Sequence, residues 1–501
     1  MIVTCGQMRE AENAAFARGN TAAQLMEKAG AGIAEVIRQF FPQPGHAVLY
    51  LGKGNNAGDA LVAGRHLIDS GWTIHARLTA DVAEFKELPA AHWKALGDRV
   101  RVSPSCDGVL SMKGTVLLLD GLVGIGAEGP LREMLADAAS EMNELRRKRH
   151  ATTVALDIPS GLNPLNGEPG DVCVQADLTI TIAHVKDVLL ADAATNYVGR
   201  LAVVPLGELE DAQGDDSRSA LTPDVLLPML SRRSFDFHKG NAGRVGIIAG
   251  SRGFLGAAVL TATGALRGGA GLVTLFVKED IYPLLAVLAP PEIMVKTVID
   301  YREVLRENLD VLAIGPGLGL EHEAEVFDVM AKAQMPAIID ADALNMIARR
   351  GLENLKQSVA PRLFTPHPGE MARLIASESA MQNLSRSELA RTFAEKFTNV
   401  TLLLKGARTV IAADGRPLFF NTTGHPGMAS GGMGDVLSGL CAALVAQGSG
   451  LPEAACLGAW LSGRAAEIAV SDGHGSQESL CAGDVAGCLG AAFADVRRLA
   501  F

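Results

Sequence analysis

The feature that most restricts the fold of this chain is an alternation of short apolar runs with longer helical segments along almost the whole sequence. In the first half the candidate strands are 47–51, 73–78, 116–119, 153–156 and 178–182; in the second half they are 245–249, 272–277, 311–314, 337–339, 401–404 and 409–412. Strands that alternate with helices predict βαβ units and a largely parallel sheet. The expected fold class is therefore α/β in both halves.

A polar stretch separates the two halves. Residues 207–217 are acidic and contain few large apolar side chains, which is typical of a linker between domains. A chain of 501 residues is long enough for two or three domains with large cores. We therefore predict one domain over residues 1–212 and a second over residues 213–501.

The composition restricts the partners and the compartment. The formal net charge of −11 argues against binding to nucleic acid or to an anionic membrane. Seven cysteines show no Cys-x-x-Cys spacing, which is typical of free thiols in a reducing cytosol. The N-terminus has no apolar signal core, and no uninterrupted apolar run reaches the length of a membrane span. We expect a cytoplasmic protein that acts on small molecules.

Residues 429–439 form the most informative segment for function. Glycines at 431, 432 and 434 surround Asp435, and an apolar helical pattern follows at once. Free backbone N–H groups at the start of a helix, together with the helix dipole, favour an anion. A carboxylate there would repel a phosphate, but it can take a proton from a hydroxyl while the amides hold a phosphoryl group in transfer. The segment indicates phosphoryl-transfer chemistry with Asp435 as the base.

Three loops of the first half carry polar side chains directly after candidate strands. The first loop contains Asn55, Asn56 and Asp59 before a helix expected over 61–67. The others begin at Asp120 and at Asp157, which Ser160 follows. Ligands of open α/β sheets bind beyond the carboxyl ends of the strands, so these side chains should converge, and their oxygens suit a hard cation. Each feature also has a purely structural interpretation, as a plain turn or as a helix N-cap.

The same loops resemble the NAD(P)H-hydrate epimerase family, through the blocks 25–30, 54–59, 120–126 and 157–161. The resemblance implies a Rossmann-like three-layer sandwich, a potassium ion at Asn56, Asp120 and Ser160, and acid–base catalysis by Asp157. The implied hydrate contacts are Asn55, Asn56, Ala57, Gly58, Asp59, Gly124, Ile125, Gly126, Ala127, Glu128, Gly129, Pro130 and Asp157. Ala57, Ala60 and Ile125 depart from the residues usual in that family. Lys186 matches a basic position of the family, and a solvated lysine is the alternative.

The second half has loops of the same kind after its candidate strands. They contain Gly317 and Gly319, then His367 between two prolines, and then Lys405 and Thr409. A lysine, a backbone amide and a threonine hydroxyl can hold a nucleotide phosphate. A lone histidine is more often structural, and residues 405–409 also fit a simple hairpin turn, so both interpretations stay open.

Together with Asp435, these loops resemble the ribokinase-like superfamily and, within it, the ADP-dependent NAD(P)H-hydrate dehydratases. The resemblance implies a ribokinase-like α/β domain with Mg²⁺ and ADP as co-substrate. The implied hydrate contacts are Ala257, Gly317, Gly319, His367 and Asp435, and the implied nucleotide contacts are Lys405, Gly406, Ala407, Arg408, Thr409 and Gly434. Met433 stands where the superfamily usually has threonine.

Taken together, the two resemblances imply a bifunctional repair enzyme for hydrated NADH and NADPH. The first half would interconvert the R and S hydrates, and the second would dehydrate the S hydrate with ADP, giving NAD(P)H, AMP and phosphate. The family also implies a homo-oligomer. Two alternatives remain at this point: a ribokinase-like kinase for a small molecule such as a vitamin precursor, with an accessory nucleotide-binding domain, and a non-catalytic nucleotide sensor. The residues alone do not distinguish ADP from ATP or NADH hydrate from NADPH hydrate.

Overall fold

The structure is a computed structural model that describes residues 1–102, 108–109, 111–127, 129–149, 151–355, 360–471 and 475–501. The chain divides into two compact units, Met1–Asp216 with Phe501 and Ser217–Ala500. Within the described ranges, none of the helices combines the length and the apolar character that crossing a membrane requires.

The first unit alternates strands and helices. Its helices are Cys5–Ala17 (α1), Ala22–Phe40 (α2), Asn55–Asp69 (α3), Glu87–Leu96 (α4), Glu133–Arg149 (α5) and Thr195–Val198 (α6). Its strands are Ile2–Val3 (β1), His46–Leu51 (β2), Thr73–Leu78 (β3), Arg101–Val102 (β4), Val116–Gly121 (β5), Thr152–Leu156 (β6), Leu178–Ile182 (β7), Val185–Lys186 (β8) and Arg200–Val204 (β9).

The main sheet of this unit has the strand order β4-β3-β2-β5-β6-β7-β9 and is parallel throughout. The chain moves from β2 towards one edge and then, from β5, towards the other. The strand order therefore reverses between β2 and β5, and a crevice at such a reversal is where open α/β sheets bind ligands. The strands β1 and β8 form a separate parallel pair, with Val3 opposite Lys186.

Both faces of the first sheet are covered. Leu49 of β2 and Leu119 of β5 pack on one face in a cluster with residues of α1, α2 and α3. Val48 and Leu118, their neighbours along the same strands, pack on the other face with α5. Because successive side chains of a strand point to opposite faces, two apolar layers result. The unit is a three-layer α/β sandwich, as expected.

The second unit repeats the pattern on a larger sheet. Its helices are Pro223–Leu226 (α7), Leu255–Arg267 (α8), Tyr282–Leu288 (α9), Glu323–Lys332 (α10), Ala341–Arg350 (α11), Pro368–Leu374 (α12), Arg386–Lys396 (α13), Met433–Ala446 (α14), Leu451–Ser471 (α15) and Ala482–Arg498 (α16). Its strands are Arg218–Leu221 (β10), Arg244–Ile248 (β11), Leu272–Val277 (β12), Ile293–Thr297 (β13), Val311–Ile314 (β14), Ala337–Ile339 (β15), Arg362–Phe364 (β16), Val400–Leu404 (β17), Val410–Ala412 (β18) and Leu418–Asn421 (β19).

The second sheet has the order β10-β19-β18-β17-β16-β15-β14-β11-β12-β13. Its pairs are parallel except β17–β18 and β18–β19, so the largely parallel arrangement is confirmed. Ile247 and Ala313 belong to a core shared with α8, α14, α15 and α16. Their strand neighbours Ile248 and Leu312 are equally buried on the opposite face. The strand order reverses between β11 and β14, which places a second ligand crevice there.

The α/β prediction is confirmed, and the differences lie at particular elements. The helix expected from Leu61 begins at Asn55, so Asn56 and Asp59 lie in its first turns rather than in a loop. Gly54 is the N-cap without a side-chain hydrogen bond, so no capping side chain marks this start in the sequence. The prediction also missed eight strands, among them the interior strands β16 and β19; these eight are β1, β4, β8, β9, β10, β13, β16 and β19.

Candidate active sites

The first site contains Asn56, Asp120 and Ser160 at the carboxyl ends of β2, β5 and β6. All three residues are buried. The hydroxyl of Ser160 donates to Oδ1 of Asp120 at 2.6 Å, and its backbone N–H donates to Oδ2 at 2.8 Å. Nδ2 of Asn56 donates to the carbonyls of Asp120, at 3.3 Å, and of Val123, at 3.0 Å. The fold thus brings together the three residues expected to hold a cation.

The chemistry of this cluster suits a monovalent cation. Its side chains offer one carboxylate and two neutral oxygens, which is a small charge in an all-oxygen set. Burial raises the pKa of Asp120 to about 6, against hydrogen bonds from Ser160 and Leu122 that lower it. Across the described ranges, no group of three or more His, Cys, Asp or Glu side chains is arranged to hold a metal ion. The all-oxygen set fits a hard cation.

Asp157 follows β6 in a left-handed backbone conformation, with a φ of 67°. Its Oδ1 accepts hydrogen bonds from the ammonium of Lys186, from the hydroxyl of Thr181 at 3.3 Å and from the N–H of Ile182 at 3.2 Å. Lys186 is 1% exposed and also donates to Thr181 and to the carbonyl of Ile182. Lys186 is thus the buried counter-ion of Asp157 and not a solvated lysine. Its partner strand β1 holds it in register opposite Val3.

A second carboxyl group, that of Asp59, lies near this ion pair. Burial raises the pKa of Asp59 well above its ordinary value, and the charges of Asp157 and Glu12 add to the effect. The pKa of Glu12, on α1, is raised by burial and by Asp157 in turn. The protonated form of Asp59 is therefore favoured relative to that of an exposed aspartate, whereas the neighbouring Asp157 has a lysine counter-ion. Sequence reasoning did not identify Glu12, because it lies far upstream on a helix without a recognisable loop motif.

The remaining predicted residues of the first site lie in the first turn of α3 and in the loop after β5. Asn55 is exposed, whereas Ala57 and Gly58 are buried in the first turn of α3. A β-carbon on Gly124 would lie 3.6 Å from the side chain of Asn56, so the loop after β5 lies directly on α3. Gly124, Ile125, Gly126, Ala127, Gly129 and Pro130 all follow β5 in that loop. Glu128 lies outside the described residues.

The second site begins at the N-terminus of α14. Gly432 is the N-cap in a left-handed conformation, with a φ of 90° and no side-chain cap. Met433, Gly434 and Asp435 are the first three helical residues, whose N–H groups have no partner within the helix. Such groups, with the dipole of a 14-residue helix behind them, form an anion site. The carboxylate of Asp435 projects from the same turn.

The environment of Asp435 favours a base that works near neutral pH. Burial raises the pKa of Asp435 to about 6; the charge of Asp340 adds to this and that of Lys405 opposes it. A general base is most effective when its pKa lies near the operating pH. Electrostatics thus support the predicted role of Asp435.

Asp340, at the end of β15, lies at the centre of the polar contacts here and is 1% exposed. Its Oδ1 accepts from Nζ of Lys405 at 2.8 Å and from the N–H of Ala341 at 2.9 Å, while its Oδ2 accepts from the hydroxyl of Ser438 at 2.7 Å. Lys405 also lies 3.9 Å from Glu370. A β-carbon on Gly434 would lie 3.1 Å from Nζ of Lys405. The lysine expected at the nucleotide is therefore held against the first turn of α14.

The residues expected to contact the hydrate border the crevice between β11 and β14. A β-carbon on Gly317 would lie 2.7 Å from Cβ of Ala257, so this loop and α8 are in close contact. The carbonyl of Gly317 accepts from the hydroxyl of Ser251 at 2.8 Å, and the N–H of Gly319 donates to Asp342 at 2.9 Å. Ala257, Gly317 and Gly319 thus lie together, in a loop that Ser251 and Asp342 hold in place.

His367 is the N-cap of α12, where its Nδ1 accepts from the N–H of Gly369 at 3.0 Å. Its own N–H donates to Glu370 at 2.8 Å, which completes a capping box. The imidazole is half exposed, at 51%. The structural role that sequence reasoning left open is therefore real, and Nε2 of the half-exposed ring lies 3.6 Å from Oε1 of Glu370.

The predicted nucleotide turn, 405–409, joins the antiparallel strands β17 and β18. The hydroxyl of Thr409 donates to the carbonyl of Gly406 at 3.1 Å, which closes the turn. Gly406 and Ala407 are exposed, whereas Arg408 is buried. A β-carbon on Gly406 would lie 2.4 Å from the guanidinium of Arg386, which sequence reasoning missed. The hairpin interpretation is confirmed, and the turn places its backbone groups and Lys405 after the carboxyl end of β17.

Asp340 and Ser438 are two further residues to which sequence reasoning gave no role. The signal for Asp340 was available, because it ends a strand as Asp120 does. Ser438 lies three residues after Asp435 and so shares its face of α14. Their pairing joins residues 98 positions apart, which only the tertiary structure shows.

Two family models match separate parts of the chain. The model described as NAD(P)H-hydrate dehydratase matches residues 245–480. The model described as YjeF-related protein N-terminus matches residues 22–188. The two matches fall in the second and in the first unit, respectively.

Relatives with curated descriptions match nearly the full length. The chain is 36% identical to the bifunctional NAD(P)H-hydrate repair enzyme Nnr of Moorella thermoacetica, over 92% of this chain and 90% of that protein. It is 34% identical to the enzyme of the same description from Escherichia coli, over 92% of this chain and 88% of that protein. The crystal structure of an ADP/ATP-dependent NAD(P)H-hydrate dehydratase from Bacillus subtilis is 29% identical, covers 56% of this chain and 99% of its own, and has a TM-score of 0.49.

Proposed function

The chain belongs to the family of bifunctional NAD(P)H-hydrate repair enzymes, and from this membership we propose which residues of each unit carry out the repair. The enzyme epimerises hydrated NAD(P)H and dehydrates it back to NAD(P)H. In the proposal, residues 1–212 are the epimerase domain and residues 213–501 are the dehydratase domain. The observation that carries the dehydratase part is the half-buried carboxyl group of Asp435 in the first turn of α14.

Dehydration requires a better leaving group than hydroxide. Asp435 takes the proton of the hydrate's ring hydroxyl, and that oxygen attacks the terminal phosphorus of ADP. The bond from this phosphorus to the bridging oxygen breaks and AMP leaves. The ring nitrogen's lone pair then expels phosphate, and loss of a proton from the adjacent ring carbon restores the dihydropyridine. The products are NAD(P)H, AMP and phosphate.

The start of α14 supplies the electrostatic part of this step. The N–H groups of Met433 and Gly434 and the helix dipole stabilise charge on the phosphoryl group as it is transferred. Lys405 brings a positive charge to the same turn, as its distance of 3.1 Å from a β-carbon on Gly434 indicates. Since the transfer involves little other covalent chemistry, this positioning accounts for most of the expected rate gain.

A magnesium ion would enter this site with the nucleotide. Several carboxylates, among them Asp340, Glu370 and Asp435, surround the single ammonium of Lys405. No group of three or more acidic or imidazole side chains in the described part of the chain is arranged to hold a metal by itself. Mg²⁺ keeps waters and phosphate oxygens as ligands, and it would offset the negative charge that ADP adds here.

Epimerisation requires the ring hydroxyl to leave one face of the hydrate and a water oxygen to return on the other. Asp157 and Asp59 are suited to the proton transfers. The carboxylate of Asp157, paired with Lys186, can accept a proton from the attacking water. Asp59, whose pKa is raised by burial, can donate a proton to the departing hydroxyl. One carboxyl group that favours its protonated form, beside another that is paired with a lysine, is what such an exchange needs.

The potassium ion belongs to the proposal for the first unit. Asn56, Asp120 and Ser160 would hold it at the carboxyl edge of the sheet. When bound there, it supplies a fixed positive charge that can orient the pyrophosphate or ring oxygens of the hydrate.

The experiment that tests the proposal supplies purified protein with hydrated NADPH as mixed epimers, ADP and Mg²⁺. Absorbance of the reduced nicotinamide and released phosphate are both followed. The parent is expected to convert both epimers completely. Asp435→Asn should lower the rate by about 10²–10⁴ while ADP still binds. Near-normal turnover in this variant would overturn the assignment of Asp435.

Variants of the first unit test the epimerase role separately. Asp157→Ala is expected to consume the S epimer at the parent rate and then to stall with the R epimer remaining. Asp414→Asn, in the exposed turn after β18, is the matched control and should behave as the parent. If Asp157→Ala converts both epimers as fast as the parent, the catalytic role of Asp157 is wrong.

A further inference from the structure

Asp340 is a fully buried carboxylate whose contacts join three separate segments of the second unit. It ends β15, binds Lys405 after β17 at 2.8 Å and binds Ser438 of α14 at 2.7 Å. Burial of a charge is costly unless the charge is paired and hydrogen-bonded, and here both oxygens are satisfied. Asp340 is therefore the residue that holds Lys405 and α14 together.

Lys405 has donors left over after this contact. An ammonium carries three N–H bonds. One points to Asp340, and Glu370 lies at the longer distance of 3.9 Å. Because Nζ lies beside Gly434, the ammonium is within reach of an anion at the first turn of α14.

We infer that Asp340 is a positioning residue of the dehydratase: it anchors the ammonium of Lys405 beside the start of α14. There the ammonium can contact the phosphoryl group that is attacked by the hydroxyl which Asp435 deprotonates. The inference rests on the proposed role of Asp435 as the base. Ser438 contributes by fixing the second oxygen of Asp340 to the same helix. Asp340 itself touches neither reactant.

Glycine at 434 agrees with this geometry. A β-carbon there would lie 3.1 Å from Nζ of Lys405 and 3.4 Å from Oδ2 of Asp340. Both distances are tight for a carbon atom, so a side chain would move the ion pair away from the helix. The absence of a side chain lets the pair approach the turn that carries Asp435.

The pKa of Asp435 should shift in opposite directions when the charge of Asp340 or that of Lys405 is removed. The groups that act on it are Asp340, Asp342 and Lys405, with Glu370 acting on Lys405 in turn. Beside the effect of burial, Asp340 raises the pKa of Asp435 and Lys405 lowers it. Removing the charge of Asp340 should therefore lower the pKa of the base, and removing that of Lys405 should raise it.

The test is the pH dependence of kcat for dehydration in Asp340→Asn and Lys405→Met. Asp340→Asn is expected to lower kcat by about 10-fold or more and to move the acidic limb down by about one pH unit. Lys405→Met should move the limb up by a similar amount. Limbs that stay at the parent position in both variants would overturn the inference, even if both rates fall.

The Lys278–Glu325 pair, at 2.7 Å in the same unit, provides matched controls. Lys278→Met and Glu325→Gln should leave both kcat and the acidic limb as in the parent. Circular dichroism and thermal unfolding, measured on the same samples, show whether the second unit of each variant is folded. If Asp435→Asn keeps its activity, the proposed base is wrong; if it is inactive and the limbs do not move, only the role of Asp340 is wrong.

Discussion

The ammonium of Lys186 and the carboxylate of Asp157 form an ion pair in the interior of the first unit, with side chains only 1% and 11% exposed. Burial removes both charges from water, so each depends on the other. The pair connects the N-terminal strand β1, through its register with β8, to the loop after β6. A segment far along the chain from the loops of the crevice thus supplies the counter-ion of Asp157.

Lys186→Met should destabilise the first unit and abolish epimerisation. Removing one partner of a buried ion pair leaves an unpaired charge and typically costs about 3–5 kcal/mol. The free energy of unfolding can be measured in urea by tryptophan fluorescence in a Trp460→Phe background, where Trp72 and Trp93 report on the first unit. The control is Lys28→Met, which breaks the more exposed pair with Glu208 and should cost at most about 1 kcal/mol. Equal costs for the two variants would contradict the interpretation.

Dehydration should depend on pH through Asp435. The base works in its ionised form, and its pKa is raised to about 6 by burial and by Asp340. We expect kcat to rise as the pH increases through about 6 and to level off above it. Steady-state rates between pH 5 and pH 8, with enzyme stability checked at each pH, measure this profile. A flat profile over that interval would argue against a carboxylate base with this pKa.

The raised pKa of Asp435 should favour activity at high pH but lower the stability of the fold there. A carboxyl group whose pKa is raised on folding stabilises the fold below its unfolded pKa and loses that contribution as the pH rises through its folded pKa. Asp435→Asn should therefore be more stable than the parent at pH 8, and the difference should vanish towards pH 4. Thermal unfolding of both proteins across this interval provides the measurement. A gain in stability that persists at pH 4 would show a cause other than titration.

Gly434→Ala should separate stability from activity. Alanine favours a helix over glycine by about 1 kcal/mol, but its β-carbon would lie 3.1 Å from Nζ of Lys405. We expect a Tm that is equal or higher and a kcat that falls by about 10-fold. Gly487→Ala in α16, where a β-carbon meets nothing within 4 Å, should gain stability without any change in rate. Parent-like kcat in Gly434→Ala would show that the close approach is not needed.

Potassium should stabilise the first unit through Asn56. An ion that binds only the folded state raises its stability by mass action. We expect a higher Tm in KCl than in NaCl at equal ionic strength, by a few degrees, and loss of this difference in Asn56→Ala. Asn55→Ala, at the exposed neighbouring position, should keep the difference. A parent protein that shows no preference between the two salts would contradict the potassium site.

Some parts of the fold were readable in the sequence because they depend on local pattern. The strands Thr73–Leu78, Leu272–Val277 and Val311–Ile314 agree with their predicted bounds: the first alternates apolar and polar residues, and the other two are largely apolar runs. The start of α3 was missed, because Gly54 caps the helix without a side-chain signal. Asp435 was identified from its glycine-rich surroundings alone.

The apolar alternation and the glycine-rich turns determine which residues lie at the carboxyl edge of each sheet, because strand direction and helix start are local properties. Which of them touch is a matter of strand order and of contacts between distant segments. Lys186 pairs with Asp157, and Asp340 binds both Lys405 and Ser438, only because folding buries them together. Burial then shifts the pKa of Asp435 and of Asp59, and no local pattern encodes burial.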